Sequence, residues 1–262
     1  MMSRAKRGGA AAPARRPEAS PSTRDAHPGL ASAYRLARAH RGDGELFTLL
    51  ISDRLGSVAA AAGIRLGIHP SVITLVDGVV ALIASAVVVA GAGQAAPLWA
   101  PGLLAFVCWQ LAYVLDCADG QVARATGKTS DFGARVDVLV DFLVQSSIVC
   151  AIATVVERIS DVPVALLVVF ATTWFVDLIT WVLSRADGNV GHSFTSGSGG
   201  IVGVVKLVRD YGLVVFVLSG WLAIHPQSLI VPVTAFTAVH VAFLLASIGR
   251  EAWLSMTKGG RP

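Results

Sequence analysis

The chain has 262 residues, of which 54% are hydrophobic and only 15% charged, with a formal net charge of +4. Soluble domains carry about 25% charged residues, so this composition excludes an ordinary soluble enzyme and points to a polytopic membrane protein. The pI near 9.3 is not a nucleic-acid signature, because no zinc-finger or aromatic-basic motif accompanies it and the cations gather in the tail and on one side of the apolar runs.

Residues 1–44 are rich in Ala, Pro, Arg and Ser and lack an apolar period. They read as a disordered basic tail suited to anionic lipid headgroups, with no cleavable signal peptide. Residues 45–69 read as a cytosolic juxtamembrane helix. Leu46, Leu49 and Leu50 share one face, while Asp53 and Arg54 supply its polar side. Gly67, Ile68 and His69 break this helix, and Pro70-Ser71 starts the next one.

Six apolar stretches follow, at about 72–93, 99–123, 134–156, 162–184, 201–224 and 228–248. Each is close to the roughly 20 residues that span a bilayer as a helix. The expected fold is therefore all-α: a six-helix membrane domain over residues 70–250, followed by a cytosolic tail over 251–262. The connections near 94–98, 157–161 and 225–227 hold Glu157, Arg158 and Asp161 as their only charges. The alternate connections hold Arg124, Lys128, Arg135 and Arg185, and both termini are basic. Positive charge stays inside, so both termini are expected on the cytoplasmic side. Trp99 and Trp221 fall at expected outer ends and Trp181 at an inner end, where interfacial aromatics belong. Cys108, Cys117 and Cys150 lie in or beside apolar runs and read as small buried hydrophobes.

The chemistry concentrates where the second span runs into the third, in DCADGQVARATGKTSDFGARVDVLVD, residues 116–141. Asp116 and Asp119 are three apart and Asp137 and Asp141 four apart, so each pair shares a helix face. Arg124, Lys128 and Arg135 cannot match four carboxylates, and charges at a membrane edge need neutralising. Two divalent cations, Mg²⁺ or Mn²⁺, prefer such hard oxygens and would clamp a diphosphate for displacement at one phosphorus. Gly120 and Ala123 lie on the face of the first aspartate pair and leave room for a nucleotide at the backbone. Gly133 would let the third span approach the second closely. Arg124 offers a fork of donors to a phosphate.

The pattern Asp116-x2-Asp119-Gly120-x2-Ala123-Arg124-x8-Gly133-x3-Asp137-x3-Asp141 resembles the signature of the CDP-alcohol phosphotransferase (CDP-alcohol phosphatidyltransferase) family of membrane enzymes. All of that signature's fixed positions are matched, and the likeness extends over about residues 45–250. The resemblance implies that Asp116, Asp119 and Asp137 ligate metal. It implies that Asp141 sits at the metal site and acts as general base on the acceptor hydroxyl, with CMP as leaving group. It also implies a homodimer.

The end of the fourth span, Thr180-Trp181-Val182-Leu183-Ser184-Arg185-Ala186-Asp187, is similar in part to the acceptor segment of phosphatidylinositol-phosphate synthases. Arg185 matches, whereas Leu183 replaces a lysine that faces the acceptor phosphate there. Lys206 and Arg209 share a helix face level with the aspartates and are candidate acceptor residues, or else ordinary positive-inside residues. His240 stands where those synthases carry arginine. Asp77 and Asp177 are intramembrane acids outside the signature and are left out of the expected site. His192 and the Gly/Ser-rich stretch 193–200 read as a flexible connection.

The expected activity is transfer of a phosphatidyl group from CDP-diacylglycerol to an alcohol, in phospholipid synthesis at a bacterial plasma membrane. The alternative within the family uses CDP-choline, CDP-ethanolamine or a CDP-polyol with a lipid alcohol as acceptor. A transporter is disfavoured because the four aspartates gather on one side of the membrane and form no path across it. A scaffold without activity would lack a signature residue, and none is missing.

Overall fold

The computed structural model describes residues 28–42, 46–94, 97–186 and 210–258. Among the described residues every regular element is helical. The chain order is α1 (Leu30–Ala39), α2 (Asp53–Leu66), α3 (Pro70–Ala92), α4 (Trp99–Thr126), α5 (Asp131–Ile159), α6 (Val164–Ala186), α7 (Tyr211–Ile224) and α8 (Ile230–Lys258).

Four helical stretches among them are long and apolar enough to cross a membrane: Pro70–Ala92, Trp99–Thr126, Asp131–Ile159 and Pro226–Ala246. At the other two expected spans the described residues form shorter apolar helices, Val164–Thr180 and Tyr211–Ile224. Residues 201–209 of the expected fifth span lie outside the described residues; the described helix begins at Tyr211, capped by Asp210, whose Oδ1 accepts from Gly212 N at 3.0 Å. At the other end, α8 continues to Lys258, past the boundary expected near 250.

The tail expected to be disordered over 1–44 contains α1. Its small residues recur at helical spacing, and Ala33 and Ala37 are fully buried against the neighbouring helix. Between α1 and α2, Thr48–Ser52 forms a π-helical turn. Asp53, expected on the polar side, is buried instead. Arg38 of α1 donates Nη1–H to its Oδ2 at 2.6 Å, and Gln121 of α4 donates Nε2–H to its Oδ1 at 2.7 Å. A buried carboxylate requires such partners. The apolar side chains Leu46, Leu50, Ile51 and Leu55 remain exposed on this segment. The break after α2 is as expected: Gly67 adopts φ 67° and closes the helix, and Pro70 opens α3 behind a His69 cap.

α3 packs against both α4 and α5, and α4 in turn carries α2 and α7. The main core lies between these helices, around Trp109, Ile148, Ile152, Phe170 and Leu222. Polar side chains join the helices inside it. Trp109 donates Nε1–H to Ser85 Oγ at 3.1 Å, Ser85 and Ser147 share a hydrogen bond of 2.9 Å, and Trp174 donates to Gln145 Oε1 at 2.9 Å. Close backbone approach is written in glycine. A Cβ on Gly102 would stand 2.6 Å from the carbonyl oxygen of Leu222, so α4 and α7 meet there without room for a side chain.

A second polar knot ties the N-terminal segment to the membrane domain. Thr48 donates N–H to Asp210 Oδ2 at 2.9 Å and Oγ1–H to Asp210 Oδ1 at 2.7 Å. The same Oγ1 lies 2.8 Å from Tyr113 Oη, so that phenol donates to it. Asp210, 1% exposed, therefore has both donors of Thr48 as partners besides the amides of its own helix.

Candidate metal centre

The geometry of the aspartates follows from how α4 ends and α5 begins. Gly127, at φ 66°, closes α4, and Lys128 N donates back to Ala123 O at 2.9 Å. Ser130 then caps α5 by accepting from Gly133 N at 3.0 Å. The short reversal turns the chain back, and α3 packs against both helices. Asp119 lies about 12 Å before the turn and Asp137 about 10 Å after it, at 1.5 Å per residue, so the two pairs stand level.

The side chains converge accordingly. Carboxylate oxygens of Asp116, Asp119 and Asp137 lie within 4.8 Å of one another. Asp119 is buried, and Asp116 and Asp137 are half-buried. Thr74 of α3 donates Oγ1–H to Asp119 Oδ2 and so fixes one of these carboxylates. Asp141, one turn further along α5, is not part of the three-residue group but interacts electrostatically with Asp116, Asp137, Asp77 and Asp119. Hard oxygens at this separation, drawn from two helices, fit a divalent cation such as Mg²⁺ or Mn²⁺. Without one, the like charges repel strongly in a poorly solvated place.

The other signature residues take local roles. Arg124 donates Nε–H to His40 O at 2.8 Å, which ties the end of α4 to the segment after α1. Its guanidinium lies over Gly120, where a Cβ would come 3.0 Å from Nη1. Gly120 thus makes room for Arg124 as well as leaving backbone open, and Ala123 stands half-buried beside it. The expectation for Gly133 needs correction. A Cβ there would meet Ser130 Oγ at 3.1 Å, the cap of its own helix. α4 and α5 have little direct contact, and α3 packs against each of them.

Arg185 lies in the last turn of α6, and Lys206 and Arg209 lie outside the described residues. Asp177 of α6 and His240 of α8, neither of them in the signature, face each other at 3.3 Å. Two residues outside the expected site adjoin it, both on α3: Thr74 hydrogen-bonds Asp119, and Asp77 interacts electrostatically with Asp116 and Asp137 without joining the three carboxylates within 4.8 Å. Their one sequence signal is polarity inside an apolar run, at a spacing of three.

The family model for CDP-alcohol phosphatidyltransferase matches residues 67–249. None of the curated proteins compared with the chain matches it.

Proposed function

Because the chain belongs to the CDP-alcohol phosphatidyltransferase family, we propose that it moves a phosphatidyl group from CDP-diacylglycerol to an alcohol and releases CMP. The reaction common to the family is transfer of a phosphatidyl group from a CDP-linked donor to an acceptor. The choice of CDP-diacylglycerol, and of a phosphorylated polyol as acceptor, rests on Arg185 and on the pair Lys206 and Arg209. The observation that carries the reading is the convergence of Asp116, Asp119 and Asp137 within 4.8 Å.

Asp116, Asp119 and Asp137, with Asp141, would hold two divalent cations. When bound, such cations neutralise a diphosphate and stabilise the charge that develops on a departing phosphate. Asp141 takes the proton of the acceptor hydroxyl. The acceptor oxygen attacks the phosphorus that bears the lipid alcohol, a P–O bond forms, and the P–O bond to CMP breaks. Arg124 keeps its Nη donors for a phosphate while its Nε holds the His40 carbonyl. Thr74 keeps Asp119 oriented. Gly120, Ala123 and Gly133 border the space assigned to the CDP moiety. The site faces the cytoplasm of a bacterial cell, where CDP-linked donors meet the membrane.

The test uses the purified chain in lipid nanodiscs with Mg²⁺, CDP-diacylglycerol and a panel of acceptors: inositol phosphate, glycerol phosphate, serine and inositol. Mass spectrometry reads CMP and the new lipid. CMP with one new lipid, lost by at least about 10³-fold in Asp141→Asn, is the expected result. CMP release only with CDP-choline, CDP-ethanolamine or a CDP-polyol and a lipid alcohol would overturn the donor assignment.

A further inference from the structure

The site so far uses aspartates from α4 and α5, yet a fifth carboxylate lies beside them on α3, outside the three whose oxygens lie within 4.8 Å of one another. Asp77 is 3% exposed, although it lies in an apolar helix. Its neighbours on α3 fix its position. Thr74, three residues earlier and on the same face, hydrogen-bonds Asp119 of α4. Gly78, the next residue, is so close to α5 that a Cβ there would stand 2.9 Å from Val140 Cγ1. Val140 immediately precedes Asp141. Asp77 thus occupies the seam where α3 meets both aspartate-bearing helices, and it interacts electrostatically with Asp116 and Asp137.

Among the described residues no hydrogen bond or ion pair reaches the Asp77 carboxylate. Among the described residues the nearby cations are committed elsewhere or face solvent. Arg124 holds the His40 carbonyl, Arg38 holds Asp53, and Lys128 and Arg135 are exposed. A carboxylate so deeply buried, beside other carboxylates and without a donor, calls for a positive partner. The aspartate cluster next to it is already suited to one.

We propose that Asp77 is a further ligand of the divalent-cation centre, so that three helices and not two hold the cations. This rests on the reading that the aspartate cluster binds divalent cations. It follows that cation binding locks α3 to α4 and α5, and that the signature aspartates are only part of the cation-holding set in this chain.

The experiment titrates Mn²⁺ into the purified full-length chain in detergent, without substrate. Electron paramagnetic resonance reads free Mn²⁺, and thermal unfolding is recorded with and without the ion. Asp77→Asn is expected to weaken Mn²⁺ binding by at least about 10-fold. It should raise the metal-free unfolding temperature, since one buried like charge is gone, and shrink the shift that Mn²⁺ produces. If Asp77→Asn lacks a cooperative transition, Asp77→Ser takes its place in the same titration. Wild-type Mn²⁺ binding by the Asp77 variant, alongside loss of binding in Asp119→Asn, would overturn the inference and leave the cation reading standing. Wild-type binding in Asp119→Asn and Asp137→Asn as well would overturn both.

Discussion

Thr74 shows how much of the centre depends on side chains that do not touch a cation. Its hydroxyl is held between the Pro70 carbonyl, 3.3 Å away, and the Asp119 carboxylate. Its single proton goes to the carboxylate, the better acceptor. Substitution by valine keeps the shape and removes the donor. Thr74→Val is therefore expected to lower cation affinity by about 10–100-fold with little change in the metal-free fold. A Mn²⁺ titration beside circular dichroism separates the two effects, and an unchanged titration would deny Thr74 its orienting role. Gly120 and Gly133 are read on the same scale. Each adjoins a polar group of its own hairpin, Arg124 or Ser130, and not a facing helix.

At the scale of elements, α1 and α2 act as a brace on the signature helix. Gly56 of α2 lies so near α4 that a Cβ would stand 2.9 Å from Cys117 Cβ, next to Asp116. Asp53 bridges Arg38 of α1 and Gln121 of α4, and Gln121 belongs to the segment between Gly120 and Arg124. Loss of one partner leaves a buried charge half-satisfied. Arg38→Ala should thus destabilise the fold by about 2–3 kcal/mol, the scale of a charged hydrogen bond to a buried group. The readout is thermal unfolding in detergent, and Asp53→Asn in the same background should recover part of the loss. Independent, additive effects of the two substitutions would show that the pair does not couple.

For the whole molecule the question is orientation. The positive-inside rule predicts the α4–α5 reversal on the cytoplasmic side, and the proposed chemistry needs it there. Lys128 stands exposed in that reversal, outside the proposed catalytic residues. In a background with Cys108, Cys117 and Cys150 replaced by alanine, Lys128→Cys should react with a membrane-impermeant maleimide in inverted vesicles. It should stay unlabelled in intact cells. The opposite pattern would turn the centre outward and remove the proposed donor from reach.

Local pattern made much of this legible. The apolar runs of α3, α4 and α5 are long enough to be read as spans from length alone, since a bilayer demands about 20 apolar residues per crossing. The aspartate spacing could be read because three and four residues make a helical turn whatever surrounds it. The break at Gly67 to Pro70 was equally local. α1 was missed because its buried face is alanine, too weak an apolar signal within a basic stretch.

The sequence by itself determined the membrane class, the family and the four signature aspartates, because each depends on composition or on residues close along one helix. Tertiary structure alone decided that α3 packs against both α4 and α5, which puts Thr74 on Asp119 and Asp77 within electrostatic reach of Asp116 and Asp137. It alone buried Asp53 beside Arg38. Such contacts join residues far apart in the chain. They are set by which helix faces pack together, and no periodicity within one helix records its neighbour.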